Sequence, residues 1–66
     1  MTSKQIDEAM KNRTPVYYNG EKYRRIIEYI SWYDNSGSHK LSVVLLPMQD
    51  NYTVRVLADK VTMEMM

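Results

Sequence analysis

Apolar positions along this chain switch from a helical to a strand-like spacing near residue 14. In residues 1–13, Ile6, Ala9 and Met10 form one narrow apolar stripe among polar neighbours, the pattern of a short amphipathic helix. Thr2 and Gln5 fit a capping box, and Met1 and Ile6 fall where a hydrophobic staple would place them. Asp7 and Glu8 lie early and Lys11 and Arg13 late, as the helix dipole prefers. Asn12 is the expected left-handed cap, and Thr14 is pushed out of the helical region by Pro15. A helix this short is marginal alone, so its stripe must dock on something.

Beyond residue 14 the runs are rich in Tyr, Val and Ile, and Asn19-Gly20 divides the first two. A two-residue hairpin loop of type I′ needs positive φ at both central positions, which Asn and Gly tolerate best. That turn sets Tyr18 opposite Glu21, Tyr17 opposite Lys22 and Val16 opposite Tyr23. The first strand is expected over 14–18 and the second over 21–33. Alternation in the second is imperfect, with Ile27 and Tyr29 on one face and Ile26, Ile30 and Trp32 on the other. A bent or bulged strand, covered on both faces over part of its length, would explain this.

Asp34-Asn35-Ser36-Gly37-Ser38 is a turn by composition. The third strand is expected over 39–46, apolar on both faces from Val43 to Leu46, until Pro47 ends it. Residues 52–57 alternate, with Tyr52, Val54 and Val56 assigned inward. Residues 58–60 read as a single helical turn before a last strand over 61–63. The expected fold is mainly β, a short N-terminal α-helix followed by a five-stranded antiparallel SH3-like barrel. An OB-fold fits less well, since its strands are longer and its helix sits between the third and fourth. All 66 residues form one domain in this reading, helix over 1–13 and barrel over 14–66.

Composition narrows the chemistry. A chain of this size buries only about 60% of the surface its unfolded form exposes. With no cysteine and a lone histidine, His39, it offers neither a disulfide framework nor a cysteine-based zinc site. Nine basic against eight acidic side chains leave a net charge of +1, unlike a protein that coats DNA. The first residues lack the apolar core of a signal peptide, and the longest apolar run, Val43–Leu46, is far short of a membrane span. A cytoplasmic protein without membrane contact is expected.

No residue set announces a reaction. As a catalytic base His39 would need an orienting partner and a nucleophile, and its nearest candidates, Asp34, Ser36 and Ser38, share one turn. A solvated residue at a strand start is the simpler account. Asp34, Asp50 and Asp59 all fall in turns, where Asp bonds its own following backbone. Two glycines give little from which to build a phosphate-cradling loop. No catalytic residue, metal site or cofactor is expected.

Two surfaces merit a functional reading. Lys22, Arg24 and Arg25 interleave with Tyr17, and with Tyr18 and Tyr23 nearby, a pattern that can pair phosphates and stack bases. Glu21 and Glu28 flank it, and ordinary cross-strand packing of basic stems over rings gives the same pattern. Trp32 and Tyr33 sit at the rim of a polar turn, where exposed aromatics make a protein-binding surface. Trp32 fits equally well packed beneath the helix. Met63, Met65 and Met66 fit either a frayed tail or an adaptable apolar edge shared in a homodimer.

Taken together, Thr-Pro-Val-Tyr-Tyr-Asn-Gly followed by Tyr23 and Arg24, then Ile-Ile-Glu-Tyr, a Ser-Gly turn, Leu-Ser-Val-Val-Leu-Leu and Thr-Val-Arg-Val with Ala-Asp-Lys-Val form a recognisable order. It resembles small uncharacterised proteins encoded in prophages and conjugative elements of Gram-positive bacteria. The resemblance spans nearly the whole chain, rests on structural motifs, and implies an SH3-like barrel with an accessory role. The expected function is a non-enzymatic interaction module of a phage or mobile element, binding a protein partner or itself through Trp32 and Tyr33. The alternative is a nucleic-acid-binding barrel using Tyr17, Lys22, Arg24 and Arg25.

Overall fold

In the computed structural model, which describes residues 1–63, Thr2 caps the first helix, α1 (Ser3–Asn12). The Gln5 N–H donates to Thr2 Oγ1 at 3.2 Å and the Thr2 N–H donates to Gln5 Oε1 at 2.9 Å, completing the capping box. The first turn holds no acidic residue, because Asp7 and Glu8 fall one turn later, while Lys11 lies in the last turn as expected. The left-handed cap is Arg13 (φ 54°), where Asn12 was expected. Asn12 stays helical, and the reversal comes one residue on, where the Arg13 and Thr14 N–H groups reach back to the carbonyls of Met10 and Ala9.

Pro15 has no N–H to give a ladder, and strand β1 accordingly begins after it, at Val16–Tyr18. Asn19 (φ 53°) and Gly20 (φ 80°) turn the chain into β2 (Glu21–Tyr33), and the register is the expected one. A Cβ at Gly20 would meet nothing within 4 Å, so a side chain there suffers only from the positive φ. Gly20→Val should therefore cost about 1–2 kcal/mol, the penalty of a left-handed β-branched residue. A denaturation midpoint equal to the parent's would show that the turn relaxes to another type.

Strand β3 (His39–Pro47) pairs with β2 over nearly its full length, and β4 (Val54–Leu57) pairs with β3. A 3-10 turn (Ala58–Lys60) leads into β5 (Val61–Thr62), which returns to pair with β1. The result is one antiparallel sheet in the order β4-β3-β2-β1-β5. It does not close: among the described residues no ladder joins β4 to β5. β4 starts two residues later than expected. Tyr52, assigned inward, instead lies in the preceding loop and is 61% exposed.

Two bulges in β2 decide which side chains face inward. The register slips by one residue between Tyr23 and Arg25 and again between Ile26 and Glu28, leaving Arg24 and Ile27 without an opposite residue. Each slip moves the following residues to the other face. Tyr29 thus stands opposite the buried Val43, on the same side as Ile26, while Ile30 and Trp32 lie on the reverse. The expected grouping of Ile26 with Ile30 and Trp32, and of Ile27 with Tyr29, is corrected by this pair of insertions. Nor are both faces covered: Ile27 and Tyr29 remain substantially exposed.

The core gathers Val16, Tyr23, Ile26, Val43 and Leu45 from the inner face, Ala58 and Val61 from the closing segment, and Ile6 and Ala9 from α1. Met1, Met10 and Met63 pack against it. Met65 and Met66, read as either a frayed tail or a shared apolar edge, lie outside the described residues. Among the described residues no helix is long and apolar enough to cross a membrane.

Candidate functional site

Residues directly opposite in a ladder share a face, so the register defines the outer surface of the sheet. Tyr17 stands opposite Lys22, and Arg25 opposite Leu46. Glu28, Val44 and Arg55 form a row across three strands, as do Ile30, Ser42 and Leu57, and Trp32 stands opposite Lys40. Ile30, Trp32, Val44 and Leu46 are half-buried on this face, and Leu57 is 41% exposed. The bulged Ile27, 40% exposed, adds to the apolar surface. Because α1 buries Ile6 and Ala9 in the core with Ile26, Val43 and Leu45, it covers the other side of the sheet.

Trp32 is therefore not under the helix. It lies over Ser42, a buried polar residue, and its Nε1–H donates to Ser42 Oγ at 2.9 Å. That bond fixes the indole edge against the sheet, since a buried hydroxyl needs a partner. Tyr33 does not join Trp32: it stands opposite His39, 71% exposed, with ring centroids 5.0 Å apart. The adjacent aromatics point to opposite sides of β2, as strand geometry requires.

The basic–aromatic strand is likewise divided. Tyr23 is buried, and its ring meets Tyr18 edge-on with centroids 6.5 Å apart, so neither offers a free stacking platform. Burial pushes the Tyr23 phenol above its ordinary value, and the Glu21 carboxylate, which accepts its O–H at 3.4 Å, adds to that. Arg24 is drawn to the end of the sheet, where Nη2 donates to the Met48 carbonyl at 2.7 Å. Tyr17, Lys22 and Arg25 remain on the outer face.

The charge on that face is one-sided. Lys22, Arg25, Lys40 and Arg55 occupy it against Glu28, with Asp34 reaching Lys40 from the adjoining turn, although the whole chain carries only +1. Among the described residues the one ion pair is Lys40 with Asp34, at 4.0 Å. Glu28 and Arg55 do not meet, because β3 lies between their strands. Arg25 Nε is occluded and has no hydrogen-bond acceptor among the described residues. At the Lys40 end a shallow cleft of about 270 Å³ opens, lined by His39, Lys40, Leu41, Leu57, Ala58 and Asp59, with Met1.

Asp34 organises the turn between β2 and β3. Its Oδ1 accepts from the Ser36 N–H at 2.9 Å, the Ser36 hydroxyl at 2.6 Å and the Ser38 N–H at 3.0 Å. These bonds, the Ser36 hydroxyl first, hold its carboxyl below the usual range. A lowered folded pKa contributes order that is present above the ordinary carboxylate range and lost as pH falls through it. Amide exchange in residues 35–38 should accelerate below about pH 4, and Asp34→Ala should show the fast exchange at every pH. Exchange that stays slow in the variant would show that the backbone bonds of the turn suffice.

Ser31 is a contact that sequence spacing did not reveal. Its hydroxyl hydrogen-bonds His39 Nε2 across the β2–β3 ladder. The expected neighbours of His39, Asp34, Ser36 and Ser38, instead bond one another within the turn. Both Ser31 and His39 are exposed, and no carboxylate orients the ring among the described residues. Activation of a hydroxyl needs such an orienting group and a desolvated setting. Comparison with protein families, curated proteins and solved structures gave no match to this chain.

Proposed function

We propose that this protein is a non-enzymatic interaction module that holds a protein partner on the outer face of its sheet. The observation that carries the reading is the half-buried row Leu46, Val44, Ile30 and Trp32, apolar yet separate from the core. A monomer gains little from leaving such a row uncovered, and contiguous apolar surface rimmed by polar groups marks a docking site. Trp32, pinned through Ser42, is a preorganised anchor of the kind that dominates binding energy. Tyr33, which faces the other side of β2, is left out of this surface. The 3-10 turn before the last strand and the short turns of the meander support the finer description as an SH3-like barrel. A cytoplasmic accessory role in a phage or mobile element rests on the sequence resemblance.

The test is selection of short random peptides on the full chain, followed by mapping of bound peptide through amide chemical shifts. Enriched peptides are expected to perturb residues 30, 32, 44 and 46 and to lose binding in Trp32→Ala. Absence of enriched peptides, or perturbation confined to the edges of β4 and β5, would overturn the reading.

A further inference from the structure

The outer face carries enough detail to specify its occupant, on the premise that it is the docking surface. We infer that the partner presents an extended segment that carries acidic residues among apolar ones on the side facing the sheet. From Leu46 to Lys40 the outer face spans seven residues of β3, about 20 Å end to end, the length of an extended segment of similar size. Along that path the surface is basic at Arg25, apolar at Leu46 and Val44 with Arg55 on one side and Glu28 on the other, apolar again at Ile30, Leu57 and Trp32, and basic at Lys40, which Asp34 approaches at 4.0 Å. Arg25 and Arg55 have no carboxylate partner among the described residues, so their countercharge is available to come from outside.

Two other occupants fit less well. A second copy docked through the same face would bring together two faces that each carry Lys22, Arg25, Arg55 and Lys40, and like charges across an interface are costly. Single-stranded nucleic acid needs aromatic platforms between its cations. Here the two outer-face aromatics, Tyr17 and Trp32, are separated by Leu46, Val44, Ile30 and Leu57, while Tyr18 and Tyr23 meet edge-on.

The composition of the selected peptides provides the test. Enriched sequences should carry Asp or Glu and Leu, Ile or Val at positions two apart, and binding should weaken as salt rises. Arg25→Glu with Arg55→Glu should weaken the best peptide by about tenfold or more, since each exposed pair is changed from attraction to repulsion. Arg55→Glu alone, at an exposed position, keeps the test open if the double variant fails to fold. Peptides that map to the outer face but are neutral or basic would overturn this inference while leaving the docking surface intact. Failure to enrich any peptide would remove both. Tight binding of labelled oligothymidylate without any acidic peptide, or a dimer by sedimentation that Arg55→Glu strengthens, would overturn it in favour of those occupants.

Discussion

Ile6→Ala is expected to lower stability by about 3 kcal/mol, a large share of the roughly 3–10 kcal/mol a chain of this length commands. The Ile6 side chain is fully buried, seated with Ala9 on the core formed by Val16, Ile26, Val43 and Leu45. Its loss leaves a cavity beneath α1 that the rigid sheet cannot fill. An undocked ten-residue helix does not persist in water, so the helix should melt with its contact. The Met1 nitrogen, which donates to the Ala58 carbonyl at 2.9 Å, should then release the 3-10 turn. Amide exchange in residues 3–12 and 58–60 is expected to rise before that of β2 and β3, because the long β2–β3 ladder does not depend on the helix. Uniform exchange through helix and ladder alike would show one cooperative unit and remove the distinction.

Local chemistry explains which parts of this architecture could be read from the residues. Asn19-Gly20 fixes its own turn geometry, and the Tyr18–Glu21, Tyr17–Lys22 and Val16–Tyr23 register follows with no help from the rest of the chain. Thr2 and Gln5 act within one helical turn, and Pro15 and Pro47 restrict the backbone wherever they stand. The face assignments in β2 failed for an equally physical reason. A bulge is a relation between two strands, and Arg24 and Ile27 carry no local mark of it, neither being glycine. Two unseen insertions moved Ile30 and Trp32 away from Ile26 and brought Tyr29 to it.

The candidate surface inherits that error. With a bend or bulge expected in β2 but its faces assigned by plain alternation, Trp32 could be placed either under the helix or at a loop rim, and Arg25 seemed unrelated to it. With the bulges in place, Arg25, Ile30 and Trp32 share one face, and β3 and β4 supply Val44, Leu46 and Arg55. Arg55 came from a strand with no apparent role, so the one-sided charge was hidden by the near-zero total. The Ser31–His39 contact was hidden likewise, since it spans the ladder between β2 and β3. A period-three recurrence of Tyr23, Ile26 and Tyr29 is the signal that could have exposed the bulges.

Leu45 and Leu46 provide the sharpest test of the two-faced sheet, because identical side chains at adjacent positions should behave oppositely. Leu45 is fully buried between Ile26 on β2 and Val54 on β4, in a strand paired on both sides. Leu45→Ala removes three methylene-sized groups from a site clamped by ladders on both sides, where collapse is hardest, and should cost about 3–4 kcal/mol. Leu45→Met, which conserves volume, should cost less than about 1.5 kcal/mol. Leu46 faces outward opposite Arg25 and is half-buried, so Leu46→Ala should cost no more than about 1 kcal/mol. Binding of an outer-face peptide should show the reverse order, with Leu46→Ala weakening it and Leu45→Met leaving it unchanged. The stability measurement is the urea midpoint at constant slope, since a changed slope would mean a changed denatured state. If Leu46→Ala destabilises as much as Leu45→Ala, both faces of β3 are core and the outer surface is no docking site.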